Sequence, residues 1–209
     1  MRALTISTHG GLDSLEYRTD LPVPEPGPGQ VRVRVRAAAL NHLDIWMLSG
    51  LPGVTIRPPW TLGGDGCGII DKLGADTADA PVRIGDYVVI NAGISCRRCE
   101  FCLRGEQSLC VKFGLLGEHY PGTLAEYVIV PATNVRAIPA GTKPETAAAF
   151  TLATLTAWRM IVSRAQVQPG ETVLIWGIGG GVAIAALQIA KLRGATVWVT
   201  SSSDEKLAR

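Results

Sequence analysis

Four cysteines, Cys96, Cys99, Cys102 and Cys110, form a C-x2-C-x2-C-x7-C run. Four thiolates close a tetrahedral shell with no open position, which marks a structural zinc. An iron–sulfur cluster or two disulfides are the alternatives. No Pro follows the fourth cysteine, and the run carries its own glycine turn and polar exterior. A second stretch with chemistry in it is Gly177 to Gly181, four glycines in five residues. Gly177 and Gly180 let the backbone double back and approach a ligand with no Cβ in the way. A helix starting there turns its free N–H groups and positive dipole end toward the turn, where a pyrophosphate fits. Contacts to a dinucleotide are expected from Gly177, Gly179, Gly180, Gly181 and Val182. Asn41, His42, Asp44 and Asp65 are the polar candidates of the first half, and local structure accounts for several of them. Asn41 suits a helix N-cap, Asp44 its first turn and Asp65 the head of a strand.

The elements that must hold these residues are legible around them. Thr172 to Trp176 is short, apolar and β-branched, a buried parallel strand by pattern. Val182 to Leu192 is an apolar, Ala-rich helix with Gln188, Lys191 and Arg193 outward. Gly194 suits its C-terminal cap, and Ala195 to Thr200 is a second strand. Strand, glycine turn, helix and strand fill the ~30 residues of a βαβ unit. Earlier in the chain, Arg2–Ser7 and Leu15–Leu21 read as strands around a glycine turn. Valines at 31, 33 and 35 alternate with arginines, which predicts a strand with one buried and one solvated face. A short helix follows Asn41, and strands are expected at 65–70, 85–90, 122–131 and 134–139. Cys67 reads as a small buried side chain. Pro144 opens a helical region. Many short strands with turns between them predict a barrel-like β domain over the first ~140 residues. The domains are therefore placed at 1–145, with a cysteine lobe at 91–114, and at 146–209.

Bulk numbers exclude several classes of function. The chain has 209 residues, 47% of them apolar, and a net charge of +2 with both signs mixed. That balance argues against nucleic acid or a membrane surface as partner. No apolar run is long enough to span a bilayer, and the N-terminus lacks a signal-peptide pattern. Clustered cysteines suit a metal in a reducing cytoplasm better than a disulfide framework. A doubly wound sheet needs more βα units than these 209 residues hold, so the chain reads as the first two thirds of a longer protein.

In order, the β domain, the cysteine run, Gly122-Thr-Leu-Ala-Glu-Tyr-Val-Ile-Val-Pro131, Leu155-Thr-Ala-Trp158 and the glycine unit resemble the medium-chain dehydrogenase/reductase superfamily. The resemblance implies a GroES-like β-barrel catalytic domain followed by the first βαβ part of a Rossmann domain. It also implies a nicotinamide enzyme with its active site between the two domains, and a cytoplasmic homo-oligomer, dimer or tetramer. The four cysteines match the superfamily's structural-zinc lobe one for one. His42 matches a position that can touch the cofactor pyrophosphate, and Thr156 one near the nicotinamide.

Departures from the family pattern decide the expected chemistry. Zinc alcohol dehydrogenases of this superfamily carry a catalytic metal. Asn41 stands where one cysteine ligand would be, and Gly64 where the histidine of a Gly-His-Glu motif would be. Leu43 replaces the relay hydroxyl. Asp44 and Asp65 keep the acidic positions around a metal whose ligands are missing. Amides and hydrogen atoms do not replace thiolates and imidazoles on zinc. The pattern is closer to the zinc-free quinone reductase branch, which also has Asn at the first position. The reading is an NADPH-dependent reductase of a quinone or α,β-unsaturated carbonyl, with Asn41, Asp44 and Asp65 at the chemistry. Alternatives are a zinc alcohol dehydrogenase with unusual ligands and a non-catalytic NADPH-binding sensor. NADPH is preferred because Thr200-Ser-Ser-Ser203 stands where an NAD site places a carboxylate. Ser201, Ser202 and Lys206, with Arg209 as a further cation, suit a 2′-phosphate. Ser203 equally suits a helix cap.

Overall fold

The computed structural model describes residues 1–208, the Lys206 side chain excepted. The chain divides into two compact units, Met1–Thr151 and Leu152–Arg209.

The first unit is the β domain expected from the strand pattern. β1 (Ala3–Ile6) and β2 (Leu15–Arg18) pair antiparallel across the predicted turn. β3 (Gln30–Ala39) buries Val31 and Val33 fully and exposes Arg34 and Arg36. Arg32 departs from the solvated face expected of it. Its guanidinium meets Asp71 at 2.6 Å and Glu25 at 3.0 Å and lies 5.4 Å from the Tyr127 ring. Strands on both sides of β3 bring Asp71 and Tyr127 to it, which sequence spacing alone does not reveal.

α1 (His42–Ser49) follows β3, and β4 (Trp60–Thr61) pairs with β1. Then come β5 (Asp65–Leu73), β6 (Tyr87–Ile90) and β7 (Gly93–Ile94). The cysteine lobe carries α2 (Glu100–Leu103) and is closed by β8 (Gly114–Leu115), which pairs with β7. β9 (Tyr127–Pro131), β10 (Val135–Ala137) and α3 (Pro144–Ala148) complete the unit. One sheet runs β10-β6-β5-β3-β9 and the other β2-β1-β4, and every pair in both is antiparallel. Leu43, Met47 and Leu48 bury one side of α1 against Ile6, Trp60 and Leu62. That packing, more than helix propensity, fixes where an eight-residue helix sits. Cys67 is fully buried beside Ala147 and Ala148, with its sulfur 3.2 Å from the Pro144 carbonyl oxygen.

The second unit takes up α4 (Thr151–Trp158), which starts at the boundary and continues as a π-helical stretch, Arg159–Arg164. β11 (Thr172–Ile175), α5 (Gly181–Leu192), β12 (Thr196–Val199) and α6 (Asp204–Leu207) follow. β11 and β12 are parallel, in register from Thr172↔Thr196 to Ile175↔Val199. Ala185, Ala186, Ile189 and Ala190 of α5 pack with Ala157, Ile161, Val167 and Ile175. The small side chains of Ala185, Ala186 and Ala190 let helix and sheet approach closely. Gly194, at φ +79°, ends α5: its N–H donates to Lys191 O, and that of Ala195 to Ala190 O. Only glycine takes that backbone without strain. One expectation is corrected here. β11 and β12 bury one face, not two, because α4 and α5 pack on one side. Leu174 is 62% and Trp198 65% exposed on the other.

Candidate functional site

Asn41 leaves β3 in an extended conformation and caps α1. Its N–H donates to Asp44 Oδ2 at 2.8 Å, and Asp44 Oδ1 accepts the Gly63 N–H at 3.0 Å. Gly63 is at φ +99°, and a Cβ there would lie 2.7 Å from Thr123 Oγ1, so no other residue presents this N–H in the same way. Asp65, 2% exposed, heads β5 and receives the Asn41 Nδ2–H on Oδ2 at 3.1 Å. Its Oδ1 lies 2.6 Å from Thr151 Oγ1, which is also 2.8 Å from Ile90 O. Thr123 donates its hydroxyl hydrogen to Asp65 O at 2.6 Å. Burial pushes the Asp44 carboxyl above the usual carboxylate range; the Asn41 and Gly63 N–H groups oppose the rise, and the Asp65 charge adds to it. Asn41, Asp44 and Asp65 thus come together as one hydrogen-bonded network. His42 stands exposed on the first turn of α1, its ring 6.2 Å from that of Trp46.

Among the described residues, one set of three or more His, Cys, Asp or Glu side chains gathers closely enough for a metal, and it is the cysteine lobe. The sulfurs of Cys96, Cys99, Cys102 and Cys110 lie within 4.8 Å of one another, and those of Cys99 and Cys102 are 3.5 Å apart. A zinc with ~2.3 Å bonds needs its four sulfurs about 3.8 Å apart. Cys110 Sγ accepts N–H hydrogens from Cys96 at 3.2 Å and Lys112 at 3.3 Å. The Cys102 N–H brings the Cys99 thiol down to about 6, and the Arg98 N–H lowers Cys96. Burial pushes Cys102 up to about 11. The donor set fits Zn2+, and none of the four is in a disulfide.

In the second unit the glycine turn has the expected geometry. Gly177 is at φ +75°, and Gly180 is the N-cap of α5. Gly179, Gly180 and Gly181 are exposed, and Val182 is half-buried. The first-turn N–H groups of α5 have no carbonyl partner within the helix. Groups so placed at a helix N-terminus can, with the dipole, seat an anion. Thr200 anchors the turn: its hydroxyl accepts the Gly177 N–H at 3.1 Å and its carbonyl the Ile178 N–H at 2.9 Å. Thr156 donates its hydroxyl hydrogen to Leu152 O at 2.8 Å, within its own helix. Ser202 is exposed, Ser201 Oγ accepts the Ser203 N–H, and Ser203 caps α6. The Lys206 side chain and Arg209 lie outside the described residues. Sequence reasoning missed Thr123, Thr151 and Thr200. Thr123 and Thr151 meet Asp65 across 58 and 86 residues of chain. No local pattern sets those threonines apart from others.

A β domain that carries a four-thiol lobe and hands the chain to a glycine-turned βαβ unit defines a class of nucleotide-linked folds. Residues 27–140 match the alcohol dehydrogenase GroES-like domain family. The chain belongs to that family and to the medium-chain dehydrogenase/reductase superfamily. It is 32% identical over 205 residues to an alcohol dehydrogenase of Schizosaccharomyces pombe, covering 98% of this chain and 57% of that one. A solved NAD-dependent alcohol dehydrogenase is 49% identical with a TM-score of 0.93, over 100% of this chain and 60% of that one. A quinone oxidoreductase of Pseudomonas syringae pv. Tomato is 30% identical with a TM-score of 0.78, over 99% and 55%. The chain therefore spans somewhat more than half the length of these relatives.

Proposed function

We propose that this chain supplies the catalytic domain, residues 1–145, and the first part of the nucleotide-binding domain, 146–209, of an NADPH-dependent reductase. Its substrate is a quinone or an α,β-unsaturated carbonyl, reduced without a catalytic metal. The observation that carries the reading is the Asn41–Asp65 hydrogen bond. Where a zinc enzyme needs a thiolate, an amide donates to a buried carboxylate, and a donor set of Asn41, Gly64 and Asp65 does not fit a catalytic zinc. A bound nicotinamide supplies the hydride. Asn41 has a second Nδ2–H, and it donates to the carbonyl oxygen as negative charge develops there. Asp65 orients that amide, and Asp44 fixes the backbone on either side of it. The N–H groups from Gly177 to Val182 hold the pyrophosphate. Ser201, Ser202 and Lys206 receive the 2′-phosphate, while His42 and Thr156 line the cofactor. One structural zinc holds the lobe, and the whole protein is a cytoplasmic homo-oligomer.

An NAD-dependent alcohol dehydrogenase is the second reading, favoured by the 49% identical structure of that description. One paired experiment on the full-length protein separates the two. Zinc is counted per chain, and quinones, enones and simple alcohols are assayed with NADPH and NADH. The proposal expects one zinc, turnover of quinones or enones, and faster kinetics with NADPH. Two zincs with brisk NAD-linked alcohol oxidation would reverse it.

A further inference from the structure

We propose that Thr151 is a positioning residue: its hydroxyl sets the plane of the Asp65 carboxylate and, through it, the direction of the Asn41 amide. The proposal rests on the reductase reading above, in which that amide meets the substrate oxygen.

The two Asp65 oxygens have different partners. Oδ2 takes the Asn41 Nδ2–H at 3.1 Å, and Oδ1 lies 2.6 Å from Thr151 Oγ1. Thr123 holds the Asp65 main-chain oxygen at 2.6 Å, which fixes the backbone and leaves the carboxylate plane to follow its own contacts. A carboxylate is planar, so turning one oxygen turns the other. Whatever grips Oδ1 therefore also sets the angle at which Oδ2 meets Asn41.

Thr151 is built for that grip. It is the first residue of α4, yet its side chain reaches back to β5 and β6, with Ile90 O 2.8 Å from the same hydroxyl oxygen. A hydroxyl has one hydrogen to donate. On Asp65 it draws Oδ1 in; on Ile90 O it leaves oxygen lone pairs facing Oδ1 and turns the carboxylate away. The Asn41 amide then has two settings, and the shorter contact, to Asp65, favours the first.

The test uses the full-length protein with Thr151→Val, which keeps the shape and removes the hydroxyl, and Thr151→Ser, which keeps the hydroxyl. Steady-state kinetics with a quinone or enone give kcat and KM separately. The 15N-labelled side-chain amide of Asn41, assigned with Asn41→Asp, reports its setting without any turnover. Thr151→Val should lower kcat about 10- to 100-fold with little change in KM, as misplacing a group near the chemistry does. Its Asn41 amide resonances should move, and Thr151→Ser should restore both rate and resonances. Unchanged kcat with unmoved resonances would overturn the proposal. So would a loss confined to KM, or a serine variant as slow as the valine one. If the parent reduces no quinone or enone, the reductase reading fails by itself. The Asn41 resonances then still decide the positioning: movement in Thr151→Val supports it, and none overturns it.

Discussion

Asp44 holds two backbone N–H groups, those of Asn41 and Gly63, from a position only 4% exposed. Burial raises its pKa above the ordinary value of 3.8. Between that value and the raised one, the folded chain keeps a proton the unfolded chain has lost. Stability from this group is thus fully present below 3.8 and falls as pH rises through the window. Asp44→Asn removes the titration. However, its Nδ2 is only a donor and faces one of the two N–H groups, whereas the hydroxyl oxygen of a protonated carboxyl can still accept. An unsatisfied buried donor costs about 1–3 kcal/mol. Urea unfolding across the acid range should therefore find the variant less stable than the parent at the acid end, with the gap narrowing as pH rises. A gap that widens with pH would contradict this account of Asp44.

The cysteine lobe is an element with little core of its own: α2 is one turn, and Leu103 and Val111 are exposed. A metal must supply what burial does not, on the order of ten kcal/mol in small zinc peptides. Cys102→Ser should lose the zinc and free the amides of residues 91–114 to exchange, while the β3–β5 ladder stays protected. Zinc counting with hydrogen exchange measures both, and an unchanged lobe would refute the assignment. This lobe was readable because all four cysteines fall in one short run. The glycine turn and the alternation of Val31 and Val33 were readable for the same reason: their meaning lies in near neighbours. Arg32 was not, because Asp71 and Tyr127 arrive from other strands. Nor was the Thr151–Asp65 contact, since its two residues lie 86 apart in the chain.

At the scale of the whole chain, the second unit shows an apolar face. Leu174, Trp198 and Trp176, the last 83% exposed, stand outward around a sheet of two parallel strands. Open strand edges and contiguous apolar surface drive association. Expressed by itself, the 209-residue chain should self-associate and bind an apolar dye, and Leu174→Lys with Trp198→Lys should weaken both. Light scattering against concentration reads the first effect and dye fluorescence the second. A parent chain that stays monomeric and dark would show that this face is quiet in water.

Thr200 carries a consequence for redesign. Its hydroxyl and its carbonyl latch Gly177 and Ile178, while the next residue begins the serine loop. Rewriting Ser201–Ser203 to change nucleotide preference means working one peptide bond from the latch of the phosphate turn. On the NADPH reading proposed above, swaps that spare Thr200 should change selectivity by itself. Swaps that include it also loosen the turn, so a library over this loop would confuse a lost preference with a lost grip.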